Sequence, residues 1–355
     1  MALLNQYPET TNPMDATVVV ITLDRPDCAR RCLQHLSAQT VRPSQIIVVD
    51  ASKSSVTADL IRRDFPEVVY LRNEFGYGNM PMSRNIGIRN STGDIIAFLD
   101  DDAFAEPQWL EALIATYADP AVGAVGGRAL NGQPGEATKG VDEIGRIRPN
   151  GLITQNFAAN PGRIVDVDII IGCNMSFRRD VLTTLGGMRE HYTGTGSCED
   201  TDICLRVRKL GFKIRFNPAA CAEHIGAPQF KGRRFDLRYD VYGFRNYLIL
   251  LVLNYGVGDP FFYRAFGYLL RQAAMDFVRK VFGGALSGLG RICGALAGLA
   301  MGIYFRLTEG SDPRRHDAKA DEIRRALTAA KPAKPSSAAR QPSEPILANP
   351  VSGLK

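Results

Sequence analysis

Ile95-Ile96-Ala97-Phe98-Leu99-Asp100-Asp101-Asp102 is a short apolar run that ends abruptly in three carboxylates. Ser91-Thr92-Gly93 precede it and Pro107 follows. An apolar run of this length between turn signals predicts a buried strand of a parallel sheet. In open α/β sheets, ligands bind in the crevice just outside the carboxyl ends of the strands. Three adjacent aspartates there repel one another and shift toward protonation unless a cation compensates them. Oxygen ligands suit a hard divalent ion such as Mg²⁺ or Mn²⁺, which brings a phosphate-bearing substrate with it. A solvated acidic turn would account for one Asp; three directly after a buried strand favour the metal.

The chain before this stretch alternates strands and helices. Residues 17–23 (Thr-Val-Val-Val-Ile-Thr-Leu) predict a first central strand that stops at Asp24-Arg25-Pro26-Asp27. A helix carrying Cys32, Leu33 and Leu36 follows, then a strand over 45–49 closing on Asp50, a helix over 57–65 and a strand over 68–71. This βαβ spacing implies parallel pairing through right-handed crossovers. The loop 73–81 resembles a dinucleotide fingerprint at Gly76-x-Gly78, but Pro81 stands where the third Gly belongs, which excludes it. The next helix, from Met82 to Asn90, carries Arg84 and Asn85 in its first turn and ends at Gly93.

Beyond the aspartates, Pro107 opens a helix with Leu110, Leu113, Ile114 and Tyr117 on one face, and 122–126 reads as a strand. Residues 131–164 are rich in Gly, Pro and Asn, the composition of a binding loop or lid. A buried strand over 165–171 runs into Gly172-Cys173-Asn174. A glycine-rich loop, 186–196, leads to Ser197-Cys198-Glu199-Asp200-Thr201-Asp202, which opens a helix ending at Leu210. Glu199 and Asp200 there serve either chemistry or, through the Ser197-x-x-Asp200 spacing, a capping box that merely starts the helix. Apolar runs at 212–216 and 219–222 lead into His224.

A 45% hydrophobic and 23% charged chain of 355 residues has room for one large globular domain or two. Its seven cysteines form no CxxC pair, which implies reduced thiols and a cytoplasmic setting. The polar lead, 1–16, has no signal-peptide architecture. Charge is uneven: 23 Lys/Arg against 27 Asp/Glu through Phe230, then 20 against 10 from Lys231 onward. With no nucleic-acid-binding motif, no nucleic acid is expected as a partner; an anionic membrane surface suits the basic 233–305 better, which would make the protein peripheral on the cytoplasmic face. Residues 233–256 and 261–282 read as long helices. Arg291 splits the apolar run 283–305 into pieces too short to span a bilayer. An interfacial helix and a helix packed on the preceding domain both fit that run. Residues 311–355 read as a disordered tail with a helix at 318–330.

Six blocks now resemble one family. They are Val18 to Arg25, Ile47-Val48-Val49-Asp50-Ala51-Ser52, Ser83-Arg84-Asn85-Ile86-Gly87, Phe98-Leu99-Asp100-Asp101-Asp102, Gly172 to Phe177 and Glu199 to Arg206. Together, in this order, they look like family 2 glycosyltransferases of the GT-A fold. That resemblance implies an α/β domain over 17–230, with a mostly parallel mixed sheet flanked by helices, and a helical C-terminal extension over 231–310. The Thr22-Leu23 pair departs from the family's Pro-Thr. By resemblance the reaction is an inverting transfer from a nucleoside-diphosphate sugar to an acceptor glycan or lipid-linked saccharide. Asp24 and Asp50 would sit near the base and ribose, Arg84 and Asn85 near the base or diphosphate, and Asp100 or Asp101 on the ribose. Asp102 and His224 would hold Mn²⁺ or Mg²⁺, Asn174 would meet the acceptor, and Asp200 would be the base, with Glu199 orienting the acceptor. A nucleotidyltransferase lacks its glycine-and-lysine-rich phosphate loop here, and a non-catalytic sugar-nucleotide or lipid-binding scaffold has no need of a base.

Overall fold

The computed structural model describes residues 14–76, 78–227, 237–279 and 285–309. The expected tail, its helix at 318–330, most of the N-terminal lead and the basic residues 231–236 lie outside these. The first half runs β1 (Ala16–Thr22), α1 (Pro26–Ser37), β2 (Gln45–Asp50), α2 (Val56–Asp64), β3 (Val69–Arg72), α3 (Met80–Asn90) and β4 (Ile95–Asp100). It continues through β5 (Ala103–Ala105), α4 (Trp109–Thr116), β6 (Val122–Leu130), β7 (Val165–Asp166) and β8 (Asn174–Arg178). Then come α5 (Arg179–Leu185), α6 (Glu199–Lys209) and β9 (Lys213–His224), followed by α7 (Leu237–Asn254), α8 (Pro260–Arg279) and α9 (Ala285–Glu309).

The strands form one mixed sheet in the order β3-β2-β1-β4-β8-β6-β9-β5, with β7 paired to β9. β1 pairs in parallel with both β2 and β4, so the chain builds outward from β1 and then returns to its other side. That reversal leaves a crevice where Thr22 and Asp100 end their strands, the position at which such sheets bind ligands. Every residue of β1 is buried, as its β-branched run predicts. Ile95 to Leu99 are buried too, and Asp100 emerges half-buried at the strand end.

Two expectations are corrected. Of the strand expected over 165–171, only Val165–Asp166 joins the ladder. Ile169 and Ile170 are buried, but the amides of Asp168 and Ile169 both donate to the Gly145 carbonyl of the 131–164 excursion. Apolar character reports burial and does not choose the hydrogen-bond partner. The runs 212–216 and 219–222, in turn, belong to one strand, β9, whose register against β6 slips between Asn217 and Cys221. Pro218 lies within that slip; lacking an N–H, it cannot donate to a ladder.

α7 anchors the C-terminal helices. Its Ile249 and Leu250 cluster with Tyr192 and with Leu205 of α6, and its Leu248, Leu251 and Val252 cluster with Phe262, Ala265 and Ala295. α9 lies close against α7 along Gly290, Gly294, Gly298 and Gly302. A Cβ on Gly294 would stand 2.3 Å from the Val241 carbonyl oxygen, and one on Gly298 2.3 Å from that of Arg245. Arg291, which interrupts the apolar run, pairs with Asp240 of α7 at 3.0 Å. Of the two readings of 283–305, the inner face of α9 thus follows the packed one. Its outer face leaves Leu296, Tyr304 and Leu307 exposed. Among the described residues, no helix is long and apolar enough to cross a membrane. Gly294→Leu should therefore lower the stability of the native protein by about 1–3 kcal/mol or more, the usual cost of overpacking. Urea unfolding checks this, with the exposed change Leu296→Ala expected to be near neutral.

Candidate active site

β4 delivers Asp100 to the crevice, and the turn after it carries Asp101 and Asp102 before β5 begins. β5 then pairs antiparallel with the end of β9, setting Ala103 opposite His224. This pairing joins residues 122 positions apart in the chain: Asp100, Asp102 and His224 each offer a ligand atom, all within 4.8 Å of one another. Asp102 Oδ1 lies 3.5 Å from His224 Nε2. Its Oδ2 accepts from the Ala227 amide at 2.8 Å and from Arg25 Nη1 at 3.1 Å. Burial alone would raise the Asp102 carboxyl, yet hydrogen bonding with His224, the Arg25 charge and the Ala227 amide bring it down to about 2. Burial likewise opposes charge on His224, but its bonds with Asp102 and Cys173 hold the imidazolium up to about 11.

Asp101 does not face the crevice. It is fully buried, held by Arg25 and by Thr22 Oγ1 at 2.7 Å. Burial, countered in part by Arg25, raises its carboxyl to about 7. The ribose expectation is therefore corrected for Asp101, whose carboxylate serves as the counterion of Arg25. Two carboxylates and an imidazole converge on one point, and this donor set fits a divalent cation.

Arg84, on α3, is buried. Its Nη2 donates to Asp100 Oδ1 at 3.0 Å and to the Gly172 carbonyl at 3.2 Å, and its Nη1 pairs with Glu199. Beside it, Asp200 Oδ2 accepts from the Gly172 amide at 3.1 Å, and Oδ1 accepts from the Thr201 amide at 2.7 Å. Desolvation, offset in part by those amides and by Arg84, raises the Asp200 carboxyl above its ordinary range. The capping-box alternative fails. The residue before the helix is Cys198, in a left-handed conformation with φ 72°, and no side chain caps α6. Ser197 instead bonds Thr195.

These groups line one cavity of about 560 Å³. Its lining includes Thr22, Leu23, Arg25, Ala51, Ser83 and Arg84, together with Asp100, Asp102, Cys173 and His224. Glu199 and Asp200 belong to the same wall system, which the loop 194–197 and Arg238, Tyr239 and Tyr242 of α7 complete. Besides Asp101, four expected residues are not on the wall. Asp50 is fully buried, accepting from the Ser52 amide at 2.8 Å and from Tyr70 Oη at 2.9 Å. Asp24 has φ 53° and flanks the wall between Leu23 and Arg25. Asn85 clamps the 186–196 loop, exchanging bonds with the Met188 backbone at 2.7 and 2.9 Å and donating to Glu190 at 2.7 Å. Asn174 accepts from Trp109 Nε1 at 2.8 Å and donates to the carbonyls of Arg128 and Ala220 at 2.8 and 3.0 Å. Its acceptor role is withdrawn in favour of a bond between sheet and helix.

Arg25 and Cys173 are not among the expected site residues; the basic C-terminal helices are expected to bear on the acceptor, but no expectation names Arg238, Tyr239 or Tyr242. A lone base beside Asp24, at the end of a strand facing three aspartates, was a usable signal for Arg25. Nothing local marked Tyr239 or Tyr242.

Residues 17–186 match the family model described as Glycosyl transferase family 2, and residues 155–227 match one described as the N-terminal domain of galactosyltransferase. Residues 17–186 thus carry a glycosyltransferase family 2 domain, and the curated relatives of the chain are glycosyltransferases, which supports a glycosyltransferase enzyme. It is 29% identical over 236 residues to the glucosyl-dolichyl phosphate glucuronosyltransferase of Haloferax volcanii, covering 59% of this chain and 69% of that protein. It is 28% identical over 231 residues to the pre-mycofactocin glycosyltransferase of Mycobacterium tuberculosis, covering 63% of this chain but only 45% of that one. Among solved structures, the mannosyltransferase PcManGT from Pyrobaculum calidifontis, in complex with GDP-Man and Mn²⁺, superposes with a TM-score of 0.51 at 17% identity, covering 87% and 93% of the two chains. GalNAc-T7 with UDP, GalNAc and Mn²⁺ gives 0.57 at 15% identity, covering 85% of this chain and 59% of that one. The fold is GT-A.

Asn174→Ala should leave the Trp109 indole and two buried carbonyls unpaired. Each such group costs about 1–3 kcal/mol. Thermal unfolding should show that loss, with nucleotide binding retained once folded.

Proposed function

We infer that this enzyme transfers a sugar from a nucleoside diphosphate to an acceptor hydroxyl, with inversion, in glycan or polysaccharide synthesis. The observation that carries this reading is the single cavity shared by a two-carboxylate, one-imidazole cation site and the first turn of α6. Asp100, Asp102 and His224 would hold Mn²⁺ or Mg²⁺; the imidazole among them favours Mn²⁺. When bound, the ion supplies positive charge to the departing diphosphate. The imidazole must lose its proton to become a ligand, so metal affinity falls as the solution is acidified.

Asp200 is the base. It takes the acceptor proton while the acceptor oxygen bonds the anomeric carbon; the bond from that carbon to the diphosphate oxygen breaks, and its electron pair leaves with the diphosphate. Glu199 is held by Arg84, so one carboxylate remains for proton transfer and the displacement is single, which inverts the carbon. Arg25, on the wall, is a cation placed to meet diphosphate oxygens, while the buried Arg84, holding Asp100 and Glu199, adds its charge to that region. Asp100 beside Arg84 is a candidate for ribose as well as for metal, and Asp24 and Asp50 would support the base pocket from behind Leu23 and Ala51.

Asp200→Asn should fold, bind nucleotide with Mn²⁺ and lose about 10²–10⁴-fold in transfer rate. Glu199→Gln should retain partial activity. Asp102→Ala, or chelation of the wild type, should abolish transfer and make nucleotide binding indifferent to Mn²⁺. Nucleoside-diphosphate release from a panel of nucleotide sugars, with and without Mn²⁺, measures all of these. Comparable mild losses at Asp200 and Glu199 would remove the base assignment.

An anionic membrane surface is the partner proposed for the C-terminal helices, at the cytoplasmic face. The support is the excess of 20 Lys/Arg over 10 Asp/Glu from Lys231 onward, together with exposed Leu296, Tyr304 and Leu307 on α9. The protein should then sediment with acidic liposomes and be released by salt, since such attraction is screened beyond about 8–10 Å. Leu296→Glu with Leu307→Glu should weaken sedimentation at every salt concentration.

A further inference from the structure

We propose that α7 builds the acceptor subsite and that the acceptor lays a sugar ring against Tyr242. This rests on the glycosyl-transfer reading given above. Both family matches end by residue 227, yet Arg238, Tyr239 and Tyr242 line the same cavity as Asp200. One wall of the site therefore comes from outside the family domain. The donor side is built by the ends of β1, β2 and β4 with α3. The loop 194–197, against which α7 packs, adjoins the first turn of α6: a Cβ on Gly196 would stand 3.8 Å from Glu199 Oε1. The acceptor must reach the base from a side the donor does not fill.

Tyr242 is fixed in place. The Arg245 guanidinium lies 4.4 Å from its ring centroid. Gly194, at φ +88°, admits the ring so closely that a Cβ there would stand 2.4 Å from Tyr242 Cδ1. The loop that carries Gly194 is tied to α7 as well. Arg245 Nη2 donates to the Thr193 carbonyl at 2.7 Å, and Asn246 Nδ2 donates to that of Ser197 at 3.1 Å. A half-buried aromatic residue on the cavity wall, locked in position by Arg245 and Gly194, offers what they leave uncovered as a rigid surface with a polar tip, at little entropic cost. A pyranose matches it, with an apolar C–H face for the ring and hydroxyls for the tip. A phosphate nucleophile matches the site poorly. It is already an anion and needs no base, and an ionised Asp200 would repel it.

Octyl glycosides and octyl phosphate, offered with the best nucleotide sugar and Mn²⁺, test the proposal by product mass. Transfer to at least one octyl glycoside is expected. For that glycoside, Tyr242→Leu should raise the acceptor KM at least tenfold, while Tyr242→Phe stays within about threefold of wild type. Gly194→Ala should displace the ring and behave like the Leu variant. Calorimetric binding of nucleoside diphosphate with Mn²⁺ should be unchanged in all three. Transfer to octyl phosphate alone, transfer to nothing in the panel, or equal effects of Leu and Phe would overturn the subsite. Loss of nucleotide binding in Tyr242→Leu would also overturn it, reducing Tyr242 to a loop anchor. Failure of the wild type to bind nucleotide with Mn²⁺ would bring down the glycosyl-transfer reading itself, a result distinct from the others.

Discussion

The buried Arg84 guanidinium bridges Asp100 at the end of β4, Glu199 at the start of α6 and the carbonyl of Gly172. A buried cation is tolerable only when carboxylates and carbonyls surround it, and a buried carboxylate only when a cation answers it. Five acidic side chains gather here: Asp100, Asp101, Asp102, Glu199 and Asp200. Arg84 answers Asp100 and Glu199, Arg25 answers Asp101 and Asp102, and His224 answers Asp102 from the other side. Asp200 has backbone amides as its nearest partners, and its burial, which those amides and Arg84 offset only in part, is why its proton is held more tightly than that of an ordinary carboxylate. The charge arrangement sets the Asp100, Asp102 and His224 cluster apart from the buried Asp200 within one cavity.

The sheet makes that arrangement possible by bringing distant segments to one edge of the crevice. Arg25 comes from the end of β1, the aspartates from the end of β4 and His224 from the end of β9. The antiparallel β5–β9 pairing, with Ala103 opposite His224, brings the imidazole to Asp100 and Asp102. α6 in turn is held by a second buried network. Asp202 accepts from Arg189 at 2.7 Å, from Tyr192 at 3.0 Å and from Asn254 of α7 at 2.7 Å. The C-terminal helices are thereby coupled to the helix that carries Glu199 and Asp200, and their anchoring bears on the chemistry as well as on any surface they present.

Much of the fold was legible in local pattern. The β-branched run of β1, the apolar run of β4 and the βαβ spacing between them announced a parallel sheet, because strands buried on both faces must be apolar throughout. The reading weakened wherever apolar character was asked to name a hydrogen-bond partner, as from Asp168 onward, where the amides of Asp168 and Ile169 turn to Gly145. Among site residues, resemblance brought Arg84, Asp100, Asp102, Asp200 and His224 to the cavity wall. It also pointed to Asp101, Asn85 and Asn174, whose polar atoms are committed elsewhere.

The sequence alone determined that three carboxylates follow a buried strand, and that Glu199 and Asp200 open a helix, since both are matters of local order along the chain. Only the tertiary structure decided which of those carboxylates face the cavity. In the turn after β4, Asp101 points inward to Arg25 and Thr22 while Asp102 points toward His224, a choice made by neighbours more than 70 residues away. The same holds for Tyr242, whose place on the cavity wall comes from the packing of α7 on α6 and on the 193–197 loop. Pattern reports which residues must be buried or exposed; which side chains meet is set by the geometry of segments that the chain itself keeps far apart.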